Sequence, residues 1–254
     1  MTARFALSSL ALAGALVGGS AAVQAAETPA VVLVHGAFAD GSDWAKVIPL
    51  LQAKGIKVTA VQYGLDSLAN DAATTRRVIA NQPGKVVLVG HSWGGMVISE
   101  AGTSDKVSAL VYVAAFAPAV GEAAGELGKG YPTPPGIAKL VADSQGWLSL
   151  PPAALAEDFA QDVPAAQAAV MAATQSPIKA SAFGDKATAA AWTSRPSWYI
   201  VASNDHMIAP DLERAFAKKI GATTTTLATS HVPQQSKPAE VADVILAAVA
   251  ASTK

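Results

Sequence analysis

The chain has 254 residues, 51% of them apolar and 15% charged, with a formal net charge of −1. That is ample material for a core and excludes a disordered chain. No block of Lys and Arg offers itself to a phosphate backbone, which argues against nucleic acid and against electrostatic docking on a membrane. Cysteine is absent, so disulfides, a thiol nucleophile, thiolate metal sites and lipid attachment at cysteine are excluded.

The first 25 residues read as a separate unit. MTAR carries one arginine, FALSSLALAGALVGG is apolar and small, and AAVQAAETPA ends in small residues. That is the layout of a secretory signal peptide, with cleavage after Ala25 or Ala26. The apolar run of about 15 residues falls short of the roughly 20 needed to span a bilayer. The mature protein, residues 26–254, is expected to be periplasmic or secreted, with a net charge of −2 once Arg4 is removed and no stable membrane association.

From Ala30 short apolar runs alternate with helical patterns. AVVLVHG reads as a buried strand, WAKVIPLLQAKG as a helix with Pro49 against its regularity, and IKVTAVQ as the next strand. DSLANDAATTRRVIANQ reads as a helix capped by Asp66, followed by strand KVVLVG, helix WGGMVISEAG and strand KVSALVYVAAFAP. Strands of this kind alternating with helices predict an α/β fold with a mostly parallel sheet and right-handed crossovers. Residues 118–193 break the rhythm with alanine, proline and helical fragments and no clear strand; they are expected to form a small helical cap inserted in one domain. The alternation returns with SWYIVA, DLERAFAKKIG, TTTTLA and KPAEVADVILAAVA.

The segment Gly90-His91-Ser92-Trp93-Gly94 lies between a strand and a helix, at the strand end where α/β sheets collect ligands. This is the context of a G-x-S-x-G nucleophile elbow. The turn is tight enough to need glycine on both sides, and the helix after it offers free N–H groups to a developing oxyanion. A serine needs a base, and the base an orienting acid, in the chain order Ser, acid, His. Of the four histidines, His231 sits in the loop between the last strand and last helix, from which it can return over the elbow. His35 ends the first strand, His91 is bound to point away from Ser92, and His206 is a loop residue. Asp205 follows a strand and precedes His231, as the order requires. Asp211 reads as a first-turn helix residue, and Asp40 and Asp43 as turn residues. The oxyanion donors are expected to be the backbone N–H groups of Trp93 and of Ala37, where Gly36 lets the loop approach.

With these motifs in place, residues 29–252 resemble the α/β-hydrolase superfamily. VVLVHGAFADGSDWAKVIPLLQAKGIKVTAV is similar to the opening of short bacterial esterase-like members and of the plant methylesterase and hydroxynitrile-lyase branch. The resemblance implies a Ser92, Asp205 and His231 triad, the Ala37 and Trp93 donors, a cap and no cofactor. A serine nucleophile departs from the dehalogenases and epoxide hydrolases, and Val232 stands where the lyases carry lysine. The expected function is therefore a carboxylesterase for small to medium neutral esters, apolar or aromatic, bound among Phe38, Trp147, Phe159, Phe183 and Met207. Lactone or amide hydrolysis, cofactor-free perhydrolysis, or ligand binding without turnover on the same fold are the competing readings.

Overall fold

The computed structural model describes residues 28–253; the expected signal segment lies outside the described residues. In chain order the strands are β1 (Ala30–Val34), β2 (Val58–Ala60), β3 (Val86–His91), β4 (Val107–Val113), β5 (Val141–Ala142), β6 (Trp147–Ser149), β7 (Ile178–Lys179), β8 (Ser197–Ala202) and β9 (Thr223–Leu227). The helices are α1 (Ile48–Gln52), α2 (Leu68–Ala80), α3 (Gly94–Ala101), α4 (Ala124–Leu127), α5 (Pro152–Ala154), α6 (Ala165–Thr174), α7 (Pro210–Lys219), α8 (Pro233–Ser236) and α9 (Pro238–Ala251). Six strands form one sheet in the order β2-β1-β3-β4-β8-β9, every neighbouring pair parallel.

The period of two along each strand explains why the central runs are apolar throughout. Val31, Leu33, Val87, Val89 and Val111 face a layer built from Leu51 of α1 and Val241 and Ile245 of α9. Their neighbours Val32, Val34, Leu88, Leu110 and Tyr112 face the opposite layer, with Ile79 of α2 and Met96, Val97 and Ile98 of α3. Burying each large apolar side chain contributes about 1.5–3 kcal/mol, so the sheet needs both layers of helices.

Local boundaries differ from the sequence reading in instructive places. The expected helix from Trp44 to Gly55 is a 3-10 turn at Gly41–Trp44 followed by the five-residue α1, with Pro49 in its first turn, where a missing N–H costs nothing. Helix α2 is capped by Ser67, whose side chain accepts from Asn70 N at 3.3 Å, and not by Asp66. Asp66 instead takes a hydrogen bond from the Asn70 side-chain amide at 2.7 Å.

The insertion is not purely helical. β5, β6 and β7 form a small antiparallel sheet, with Val141 opposite Ser149 and Trp147 opposite Lys179. Two or three residues are too few to show an alternation, which is why these strands escape a pattern reading. The returning end of the cap is tied to the core by Glu100 of α3, which accepts from the Thr188 N–H, from Thr188 Oγ1 at 3.0 Å and from Ala189 N at 3.2 Å. Trp192 Nε1 donates to Pro118 O at 2.7 Å and closes the neck of the insertion.

Candidate active site

Ser92 sits on the turn from β3 into α3 with φ of +52°, one of four non-glycine residues at positive φ among the described residues. Such a conformation costs on the order of 1–3 kcal/mol and persists only where its surroundings impose it. Here they do. Ser92 N donates to Val113 O at 3.2 Å, while Ser92 O accepts from Gly95 N at 2.9 Å and from Phe116 N at 3.2 Å. The flanking glycines are required by packing. A Cβ at Gly90 would lie 2.5 Å from Gly94 O, and one at Gly94 would lie 2.7 Å from Val34 O. A Cβ at Gly36 would meet the Cβ of Ser92 at 2.8 Å, so the loop after β1 can lie against the serine only as glycine.

That loop supplies Ala37. Among the described residues neither the Ala37 N–H nor the Trp93 N–H has a hydrogen-bond partner. Free backbone donors beside a serine and at the start of a helix are suited to an oxyanion. The Trp93 indole is fixed separately, with Nε1 donating to buried Asp71 at 2.9 Å.

His231 and Asp205 come together from the loops after β9 and β8. His231 Nδ1 lies 2.5 Å from Asp205 Oδ2, and both side chains are buried. The other carboxylate oxygen of Asp205 accepts from Met207 N at 2.6 Å and Ile208 N at 2.9 Å, which fixes its plane. Burial pushes the Asp205 carboxyl up, but the imidazole and these N–H groups outweigh it and hold it below the usual range. Burial pushes His231 below the usual histidine value, with Asp205 opposing. Both directions describe a neutral imidazole on an ionised carboxylate. Glu213 of α7 faces Asp205; burial and that neighbouring charge push it well above the usual carboxyl range. It also accepts from Ala202 N at 2.9 Å.

The His231 ring packs on His91, the residue before Ser92, with centroids 4.8 Å apart, which sets the imidazole at the elbow. No hydrogen bond joins Ser92 Oγ to His231 in this structure; such contacts are often long until substrate is bound. His91 points away from Ser92, toward Asp43 and the His231 backbone. His35 stacks on Tyr63 at 4.1 Å and donates to Gly36 O. His206 is engaged by Asp158 at 3.2 Å, and Asp158 also holds Lys139 at 2.6 Å. Asp40 caps the 3-10 turn through Ser42 N at 2.6 Å, and Asp211 pairs with Arg214 on α7. Asp43 lies in the turn after β1, as its sequence position predicts, but it is 5% exposed and hydrogen-bonded to Gln234 and Gln235, beside residue 231. Its partners lie 191 and 192 positions away, and no local signal marks them.

Between the cap and the strand ends lies a cavity of about 420 Å³ lined by Phe116, Tyr131, Leu148, Phe183, Met207 and Ile208, among others. Of the five residues expected to bind substrate, Phe183 and Met207 line it. Phe159 lies over the site, its ring 5.1 Å from His231 and 6.5 Å from Phe38. Phe38 lines a separate cavity of about 240 Å³ with Met171 and Lys46. Trp147 lines neither of these two cavities; Lys179 lies over its ring at 5.3 Å on the cap sheet. Among the described residues no three His, Asp or Glu side chains are grouped to hold a metal ion.

Residues 31–244 match the Alpha/beta hydrolase family. The chain is 27% identical to the pyrethroid hydrolase of Sphingobium wenxiniae over 85% of each chain. It is 40% identical to Methylesterase 2 of Arabidopsis thaliana over 34% of this chain and 39% of that one; the match thus spans about two fifths of the plant protein's length. Among solved structures, a pyrethroid hydrolase from Sphingobium faniae superposes with a TM-score of 0.76 at 24% identity, covering 88% of this chain and 98% of that chain. Polyneuridine aldehyde esterase superposes with a TM-score of 0.76 at 21% identity, covering 87% and 99%. With its six-stranded parallel sheet, its strained serine turn and this match across most of its length, the chain belongs to the alpha/beta hydrolase family.

Proposed function

We propose that the protein is a serine carboxylesterase that cleaves small to medium neutral esters with apolar or aromatic groups. The observation that carries this reading is the buried His231–Asp205 pair packed at the turn that presents Ser92. The names of its relatives, methylesterase and pyrethroid hydrolase among them, support it.

In the proposed reaction Ser92 Oγ attacks the ester carbonyl while His231 Nε2 takes its proton. The C=O electron pair moves to oxygen, which accepts from the Ala37 and Trp93 N–H groups. Asp205 holds the imidazole in the Nδ1–H tautomer and stabilises its charged form. Collapse of the tetrahedral adduct breaks the C–O bond; His231 returns the proton to the leaving alcohol, and Ser92 is left acylated. Water, deprotonated by His231, then attacks the acyl carbon; the bond to Ser92 Oγ breaks, His231 returns the proton to Ser92, and the acid leaves.

The cavity supports this substrate class: its lining includes Met207 and Ile208, whose N–H groups hold Asp205, although Ser92 and His231 are not among its lining residues. Its walls are mostly apolar, and the one cation among its described lining residues, Lys129, is paired with Glu126 at 3.1 Å. Val232, directly after His231, is fully buried in the core and supplies no charge beside the imidazole. Export from the cytoplasm is part of the same proposal, and amino-terminal sequencing of the secreted or periplasmic form checks it.

The direct test is hydrolysis of short p-nitrophenyl esters beside Ser92→Ala, together with labelling by a fluorophosphonate. Turnover and labelling that both vanish in the variant are the expected result. Labelling at Ser92 without ester turnover would redirect the reading to lactones, amides or peroxide as co-substrate. No labelling would leave a ligand-binding protein on a hydrolase fold.

A further inference from the structure

A second histidine and aspartate lie immediately behind the first, in contact but without a hydrogen bond between them. Asp43, in the turn after β1, has Oδ2 3.2 Å from His91 Nδ1. The same oxygen accepts from Gln234 Nε2 at 2.6 Å. Its other oxygen accepts from Gln235 Nε2 at 3.1 Å, and that nitrogen also donates to the Asp43 carbonyl at 2.7 Å. The other ring nitrogen of His91, Nε2, lies 2.8 Å from the backbone carbonyl oxygen of His231. A carbonyl can only accept, so Nε2 carries the hydrogen and donates.

The His91 ring has little freedom to do otherwise. Trp44 meets it edge-on at 6.5 Å and Phe159 at 6.2 Å. A Cβ at Gly36 would stand 2.9 Å from its Nδ1. Burial pushes the Asp43 carboxyl up, yet His91 and the two glutamines bring it below the usual value, so the carboxylate is ionised inside the protein. Burying an ionised carboxylate is costly unless it is fully hydrogen-bonded. What this one holds is the side chains of Gln234 and Gln235, while His91 beside it holds the His231 carbonyl.

Asp205 fixes only one point of His231, the Nδ1 atom of its ring. The position of the ring over Ser92 depends equally on where the peptide of residue 231 stands. We propose that Asp43 and His91 are positioning residues that anchor the His231 loop, so that the imidazole Nε2 stays aligned on Ser92 Oγ. The pair acts through His231 and touches no substrate. The proposal rests on the reading of His231 as the general base.

The test uses His91→Asn, His91→Gln, Asp43→Asn and His231→Ala in the full protein, with p-nitrophenyl acetate turnover, thermal melting and the low-field proton resonance of His231 Nδ1–H. A glutamine amide nitrogen can reach the position of histidine Nε2, whereas the shorter asparagine cannot. His91→Asn is expected to lower kcat by about 10- to 100-fold with KM within about twofold, and to broaden or remove the resonance. His91→Gln is expected to recover kcat to within about threefold of the parent. Asp43→Asn, which keeps the side-chain volume, is expected to lower kcat as His91→Asn does, and it decides the matter if His91→Asn does not fold.

Parental kcat and resonance in a folded His91→Asn or Asp43→Asn would overturn the proposal. So would equal losses in His91→Asn and His91→Gln that follow a fall in melting temperature, because the pair would then be only packing. Failure of both asparagine variants to fold overturns it for the same reason. His231→Ala separates the two readings: retained turnover there would remove the general base itself, whereas its loss beside an unchanged His91→Asn would remove only the positioning role.

Discussion

The sheet and the cap are held together by different physics. β1, β3 and most of β4 have no exposed side, and α3 lies so close that a Cβ at Gly94 or Gly95 would collide with backbone carbonyls of the neighbouring segments. The cap strands are two or three residues long, β5 is exposed, β6 is half-buried, and a cavity of about 420 Å³ lies beneath. Ser92, Asp205, His231 and both free N–H groups come from loops at the rim of the rigid part. The cap contributes walls. Reacting groups need placement to within fractions of an ångström, whereas a wall needs only the right shape, so the division suits an enzyme whose substrate range is set apart from its chemistry.

The sharpest way to break that comparison is at the rim. Asp205→Asn keeps the shape but loses the carboxylate that fixes the His231 tautomer. We expect kcat to fall by about 10³- to 10⁴-fold with KM little changed, measured on the best p-nitrophenyl ester. A fall of less than about tenfold would move the chemistry elsewhere.

Two leucines compare the layers directly. Leu88 of β3 is fully buried in the central strand, and Leu148 of β6 is half-buried against the cavity. Leu88→Ala should destabilise by about 2–5 kcal/mol, through lost burial and the hole left behind. Leu148→Ala should cost less than about 1.5 kcal/mol while shifting KM across a series of acyl chains. Denaturant unfolding and the substrate series together check both halves. Equal stability losses would mean that the cap is as tightly built as the sheet.

The same contrast governs what the sequence made legible. Strands β1, β3, β4 and β8 could be read because a strand buried on both faces leaves a continuous apolar run. The places of Ser92 and Asp205 follow from the ends of β3 and β8, and that of His231 from the loop after the exposed, threonine-rich β9. Asp43, Asp71 and Glu213 could not be read, because each earns a place through burial and distant partners that leave no local pattern. Gln234 and Gln235 read as loop residues until the turn after β1 is folded against them. The cap strands were hidden by their brevity, and an aromatic residue in an insertion, such as Trp147, carries no mark of which way it points.

Asp71 offers a pH-dependent version of the comparison, within the rigid part. Its carboxylate accepts from Trp93 Nε1 and from Leu65 N, and burial raises its pKa from 3.8 to about 6, with these donors opposing. A raised value in the folded state means that its contribution to stability is fully present below the unfolded pKa and is lost as pH rises through about 6. Relative to the parent, Asp71→Asn should therefore gain about 1–2 kcal/mol between about pH 5 and about pH 8. Urea unfolding of both proteins across that range measures it. His231 has the opposite sign: its lowered value makes its contribution present above 6.5 and lost as pH falls.

The smallest effect is expected at Glu213, where a near-silent substitution is the informative one. With its pKa raised beside Asp205, Glu213 accepts from Ala202 N, and its protonated form has a hydrogen to give to the carboxylate. Glutamine offers the same acceptor and an N–H donor, with the same net charge as the protonated acid. Glu213→Gln should therefore keep kcat/KM within about threefold at neutral pH and leave the acid limb of the pH profile where it was, below the usual histidine value of 6.5. An ionised Glu213 would instead have stabilised the charged form of His231, and its replacement by a neutral amide would move that limb to lower pH. Glu213→Ala, which abandons both the Ala202 N–H and the buried face of Asp205, should cost more than Glu213→Gln in both stability and turnover. An unmoved limb in the glutamine variant, beside a damaged alanine variant, would identify Glu213 as a neutral hydrogen-bonding support for Asp205.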